Sequence, residues 1–202
     1  VTEDFNKQQL VIAKYAARQI THSLEMLRKE LRLLSKAPAL QYQERIALVG
    51  RMESAFMSVK DYGATQIRFI PAPGVLAHVY GSPGHRRGAP SAEDTLHLLW
   101  AADPANRERL LTTPVTPASA EEPANLRLRF VRPVWQDAAD ESHPAPTRGF
   151  SGVLVLVVDV AELTGNVTRD IRSGRTGYAW VIDGNGIFLH HQEAIFTGKN
   201  AF

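Results

Sequence analysis

The run Gly177-Tyr178-Ala179-Trp180-Val181-Ile182-Asp183-Gly184-Asn185-Gly186-Ile187-Phe188-Leu189-His190-His191 sets two short β-rich segments on either side of Asp183-Gly184-Asn185-Gly186. Asp and Asn beside Gly supply the positive φ angles of a tight turn, so the spacing predicts a hairpin with strands over 178–182 and 187–191. Just upstream, Leu163, Val167 and Ile171 recur on one face of a helix expected over 161–173, with Gly174 as its stop.

Working outward, the apolar run 152–158 suits a central strand, expected over 152–160. Residues 126–135 alternate Leu126, Leu128 and Phe130 against Arg127, Arg129 and Val131, the pattern of a half-buried strand. Polar loops are expected over 136–148 and, because of three prolines and no periodicity, over 112–125. Residues 66–70 and 75–80 read as a second hairpin, joined by Pro71-Ala72-Pro73-Gly74. The Gly- and Pro-rich stretch 81–90, with His85, Arg86 and Arg87, reads as loop. Ser91 is the expected cap of a helix over 92–101, and Asp103 before Pro104 caps another turn.

The chain opens on helices. Leu10, Ala13, Ala17, Ile20, Leu24, Leu27, Leu31 and Leu34 recur at alternating steps of three and four, with no Gly or Pro between them and Pro38 beyond. One helix over 4–35 would be roughly 45 Å long, more than most domains cover. Either one end of the stripe packs on its own domain, or part of it pairs with a second subunit in a parallel coiled coil. Leu10, Ala13, Ala17, Ile20, Leu24 and Leu27 are the candidate dimer contacts. A second helix is expected over 40–60, with Ile46, Val49, Met52, Phe56 and Val59 inward and Gly63 as its stop.

Composition bounds the function. Of 202 residues 44% are hydrophobic and 22% charged, which suits a folded domain, and the net charge of +2 comes from mixed signs and carries no nucleic-acid footprint. The absence of cysteine excludes disulfides, thiolate-held zinc, iron–sulfur clusters and a thiol nucleophile, and fits a periplasmic location. No apolar run approaches the roughly 20 residues of a membrane helix. A chain that begins at Val1 is expected to be a piece of a longer protein whose membrane segments lie outside it.

The run Gly177 to Gly186, with His190 and Gly198-Lys199-Asn200 after it, resembles the opening hairpin of a Cache module, the PAS-like extracytoplasmic sensor domain of bacterial receptors. Gln66-Ile67-Arg68-Phe69-Ile70 with Gly74 is similar to the first hairpin of the membrane-distal module in double-Cache sensor histidine kinases. The strand ending in Pro133-Val134, the strand from Gly152 and the helix after it are similar to that module's later elements. The resemblance implies an α+β fold: a long N-terminal helix, a PAS-like antiparallel sheet with flanking helices, and the start of a second, truncated module. The expected divisions are 1–62 for the two helices, 63–174 for the distal sensor module and 175–202 for the opening hairpin of the proximal one. The stretch beyond Gly174 is far short of the roughly 100 residues of a second module. The arginine–aromatic–tyrosine signature of amino-acid-binding relatives does not fit 94–106, so amino-acid binding is not implied.

Enzyme chemistry is not indicated, and no cofactor is expected. Gly198-Lys199-Asn200 lacks the hydroxyl and upstream glycine of a phosphate loop, and neither a Gly-x-Ser-x-Gly nor a His-Glu-x-x-His motif occurs. His190, His191 and Glu193 are metal-ligand types, yet adjacent strand residues point to opposite faces, so no metal site is assigned. His85-Arg86-Arg87 reads as a solvated basic loop. Binding is the expected function, in a pocket between the sheet and its covering helices. Its candidates are Arg68, His78, Tyr80, Arg127 and Arg129 from the strands and Trp100 from a helix, a set suited to a small carboxylate ligand. Arg127 and Arg129 share one strand face and must meet either water or something anionic. The reading is therefore the extracytoplasmic sensor region of an inner-membrane receptor, a histidine kinase by resemblance. The other reading is a ligand-free dimerisation module of a chemoreceptor or diguanylate cyclase.

Overall fold

A computed structural model describes residues 2–119, 121, 122, 124–169, 171–173 and 177–202. In chain order the elements are α1 (Thr2–Ser35), α2 (Pro38–Gln41), α3 (Arg45–Val59), a 3₁₀ turn (Lys60–Tyr62), β1 (Ala64–Pro71), β2 (Ala77–Gly81), β3 (Gly84–Gly88), α4 (Ala92–Ala102), a 3₁₀ turn (Pro104–Asn106), β4 (Leu111–Thr112), β5 (Thr116–Pro117), β6 (Leu126–Trp135), β7 (Phe150–Asp159), α5 (Val160–Thr168), β8 (Arg172–Ser173), β9 (Gly177–Tyr178), β10 (Val181–Ile182), β11 (Phe188–His190) and a 3₁₀ turn (Ala194–Phe196). This is the expected α+β class, a long N-terminal helix and an antiparallel sheet with flanking helices. Two compact units divide it: Leu27–Pro114 with Leu128–Val158, and Val1–Met26 with Val115–Arg127 and Asp159–Phe202. The helices after Leu27 thus cluster with the sheet, and α5 clusters with the terminal hairpins; the expected end point at Gly174 lies outside the described residues.

The first unit holds the strand order β3-β2-β1-β7-β6-β4. β1 pairs antiparallel with β2 and with β7, so that Arg68 lies opposite Val79 and Val155, and Phe69 opposite His78 and Leu154. Partners in register point to one side of a sheet. Ile70, Ala77, Val131, Val153, Val155 and Val157 therefore build one core, against Ala101, Leu98 and Trp100 of α4. The other side carries Ile67, Phe69, Phe130, Leu154 and Leu156, all at most 1% exposed. There α3 contributes Phe56 against Tyr80, and α1 contributes Arg28 over the Phe130 ring. A chain covered on both sheet faces explains why β7 is apolar throughout.

Several expectations need correction. The second helix is two: Gln43 takes φ of 57° and breaks the run, its amide nitrogen donating to the Ser151 carbonyl at 3.1 Å. Its inward face is Leu48, Met52, Ala55, Phe56 and Val59, while Ile46 is 92% exposed. The stretch read as loop over 81–90 contains β3, because Arg86 and Arg87 at a sheet edge keep their charges in water while their backbone pairs with β2. The loop over 112–125 contains β5, paired with the start of β6. The expected alternation in β6 is weak, with Arg127, Leu128 and Arg129 all half-buried, and from Phe130 to Val134 every residue is buried.

The second unit contains α5 and the terminal hairpins. β10 and β11 pair around Asp183-Gly184-Asn185-Gly186, and the Asp183 carboxylate accepts from the Asn185 and Ile187 amides, both at 2.9 Å. The expected hairpin is present, but Tyr178 belongs to a different one, β9 pairing with β8. The helix ends at Thr168, not near 173, since β8 draws Arg172 and Ser173 into that pairing.

Candidate functional site

The site is built on the first turn of α4. Ser91 and Asp94 form a reciprocal cap: the Asp94 amide donates to Ser91 Oγ at 3.1 Å and the Ser91 amide to Asp94 Oδ2 at 2.8 Å. The same carboxylate accepts from Arg68 of β1, from Nε at 3.1 Å and from Nη2. A fork-to-carboxylate pair of this kind is directional as well as electrostatic. One position earlier, Glu93 reaches Arg129 Nη2 of β6 at 3.1 Å. The two pairs differ in exposure: the Asp94 side chain is 4% exposed and that of Glu93 46%.

His97 follows on the same face of α4 and is 7% exposed. Its Nδ1 is buried without a hydrogen-bond partner. Burial pushes its pKa down, Glu93 and Asp94 oppose that shift, and Arg129 and Arg68 add to it. Trp100 and Leu98 border the cluster and pack on the valine core. The result is a partly buried charged layer between α4 and the sheet, with Asp94 and His97 buried and Glu93 open to water, that holds two guanidinium–carboxylate pairs and one unsatisfied imidazole nitrogen.

Of the residues expected at a pocket, Arg68, Arg129 and Trp100 lie together on the α4 side of the sheet. His78 and Tyr80 are on the opposite side, because their register partners are Phe69 and Ile67. There His78 Nδ1 lies 3.3 Å from His85 Nε2, burial lowers the pKa of both, and Tyr80 hydrogen-bonds Glu53. Arg127 belongs to the second unit, paired with Asp159, the N-cap of α5. Of the two environments open to Arg127 and Arg129, the anionic one holds, and the anions are the chain's own. Glu93, Asp94 and His97 were not singled out from sequence, although Ser91-x-x-Asp94 is a capping signal. Arg132 was also missed: 5% exposed, it donates to Ser35 Oγ at 3.2 Å and pairs with Glu108 at 2.9 Å.

The α1 stripe divides along its length. Leu10 is 54% exposed and Ala13 and Ala17 are exposed, whereas Ile20 and Leu24 are half-buried. Leu27 is fully buried, and Leu31 and Leu34 nearly so, which removes Leu27 from any surface a second subunit could reach. In the second unit, a cavity of about 680 Å³ lies beside α5 and β11, with His190 and Thr168 in its wall. No helix among the described residues is long and apolar enough to cross a membrane.

No family model and no curated protein matches the chain. Solved structures do. The ligand-binding domain of the Pseudomonas aeruginosa PAO1 amino-acid chemoreceptor PctC, in complex with GABA, superposes with a TM-score of 0.65 at 18% identity, over 98% of this chain and 80% of that one. An extracellular domain described as that of a histidine kinase gives 0.68 at 16% identity, over 95% and 72%. The sensory domain of the Campylobacter jejuni chemoreceptor Tlp3 with isoleucine bound gives 0.60 at 13%, over 85% and 66%. The fold is therefore that of the Cache-like extracellular sensor domains.

Proposed function

We propose that the chain is the ligand-sensing part of an extracytoplasmic region of a bacterial membrane receptor, with a histidine kinase as the parent protein and no catalysis in this segment. The observation that carries this reading is the layer under α4, where Arg68, Arg129, Glu93, Asp94 and the unpartnered Nδ1 of His97 meet in a sheet of the sensor-domain fold. Such a layer is costly unless something uses it, because buried charges gain little net stability over apolar packing.

Its asymmetry suggests how a ligand enters. Asp94 is held by both Arg68 and the Ser91 amide, while Glu93 is half in water, so a ligand carboxylate exchanges with Glu93 on Arg129 at lower cost than with Asp94 on Arg68. His97 Nδ1 would take a second polar group of the same molecule. Small carboxylates are thus the ligand class; Arg68, Arg129 and Trp100 are the binding residues, and His78, Tyr80 and Arg127 have no part in this layer. Displacing Glu93 loosens α4, and the buried Leu27, Leu31 and Leu34 of α1 give the relay to the membrane.

A thermal-shift screen of small carboxylates tests the reading, since a ligand bound only by the folded state raises the melting temperature. A hit should lose at least tenfold in affinity on Arg129→Gln and little on Arg127→Gln. If no carboxylate shifts the transition, or both replacements act alike, the α4 layer is only structural. The exposed face of α1 favours the second reading, a dimerisation module, which predicts self-association in sedimentation that Leu10→Asp with Ala17→Asp abolishes.

A further inference from the structure

We propose that Glu44, Asp140 and His143 form a site for a divalent transition-metal ion of zinc type, joining the segment between β6 and β7 to the start of α3. Their donor atoms all lie within 4.8 Å of one another, and the three residues are half-buried. His143 Nδ1 stands 3.1 Å from Asp140 Oδ1. That contact is a hydrogen bond, and Asp140 Oδ1 also accepts from the His143 amide at 2.6 Å; neighbouring ligands of a tetrahedral ion with bonds of about 2.1 Å are about 3.4 Å apart, so the pair needs a small opening to share an ion. Glu44 would complete a three-ligand set with positions left for water.

Glu44 supplies an independent reason. It stands at the N-cap of α3, yet its side chain does not cap the helix. Among the described residues, no protein group donates to its carboxylate, whose oxygens meet water. A carboxylate with no protein donor to give up can turn to a cation against His143 and Asp140 without breaking an existing interaction.

The imidazole is held in place for this role. Its ring stacks on Tyr42 with centroids 3.6 Å apart and planes 2° from parallel, and the Tyr42 hydroxyl donates to the Ala138 carbonyl at 2.7 Å. Support behind a ligand residue of this sort fixes its orientation. One imidazole with two carboxylates suits zinc, nickel or manganese better than calcium or magnesium, which prefer oxygen donors throughout.

The test is titration of the tag-free 202-residue chain, stripped with chelator, with ZnCl2, MnCl2 and CaCl2, read by calorimetry and melting temperature. Zinc should bind at one equivalent with micromolar affinity or better and raise the melting temperature, with calcium at least tenfold weaker. Glu44→Gln, which preserves shape and hydrogen bonding, and His143→Ala should each weaken zinc at least tenfold with an unchanged circular dichroism spectrum. His85→Gln, at the other histidine pair, should leave it unaltered. Absence of binding, retention of full affinity in Glu44→Gln, or loss of it in His85→Gln overturns the proposal.

Discussion

Replacing Asp94 with Ala should markedly destabilise the sheet-containing unit. The carboxylate receives three hydrogen bonds, two from the Arg68 fork and one from the Ser91 amide. Losing the Asp94 half of the capping box, with the Ser91 Oγ half left in place, costs at most about 1 kcal/mol. Leaving a buried guanidinium unpaired costs roughly 3–5 kcal/mol when it is wholly dry, and about 2 to 3 here because Arg68 keeps 19% of its side chain in water. The sum is about 2 to 4 kcal/mol, or a fall in melting temperature of roughly 4–16 °C at 2–4 °C per kcal/mol for a chain of this size. Thermal unfolding followed by tryptophan fluorescence reads it, since Trp100 and Trp135 both sit in that unit. The double variant Arg68→Met with Asp94→Leu removes both charges, and should recover all but the cap, giving a coupling of about 2 kcal/mol. A double variant as unstable as the sum of the single ones would refute the clamp between α4 and β1.

Acid should weaken the fold in a defined window. His97, His78, His85 and His190 all have pKa values lowered chiefly by burial, so the folded state holds fewer protons than the unfolded one. Their contribution is complete above about pH 6.5, declines as the pH falls through that ordinary value, and levels off once the pH lies below the folded values. His97→Gln should flatten part of the slope in melting temperature between about pH 7.5 and 5; an unchanged slope would remove His97 from the account. Gly152→Ala should cost at least about 2 kcal/mol in denaturant unfolding, because φ is +151° and a Cβ would lie 2.3 Å from the Ile70 carbonyl oxygen and 2.8 Å from Pro71 Cα. A loss below about 1 kcal/mol would mean that β1 and β7 separate there at little cost.

Legibility from sequence followed the range of the interaction. The Asp183 to Gly186 turn, the Ser91 cap and the heptad of α1 depend on residues within one or two turns of each other, and all three appear where local chemistry puts them. Elements whose backbone is satisfied by distant partners were hidden: β3 and β5 exist because β2 and β6 offer them hydrogen bonds, and neither stretch has a strand-like composition. Sheet side was decided by register. Arg68 and His78 both follow β patterns, but the pairing of Phe69 with His78 sends them to opposite faces, and no single strand records that offset.

The same distinction separates the candidate sites from the scaffold. A carboxylate in a capping position reads from sequence as a local device, and Asp94 is one; that it also holds Arg68 depends on where β1 passes beneath α4. Glu44 is the converse, a residue in capping position whose side chain does not cap, brought near His143 by the return of the chain between β6 and β7. In both cases the chemistry belongs to a local signal that has acquired, or given up, a second partner far along the chain. The cap contribution at Asp94 is lost alike in the single and the double variant and cancels in the cycle, so the measured coupling is assigned to the sheet contact. At Glu44 no cap contributes, and any stability gained on adding zinc is attributable to the ion alone.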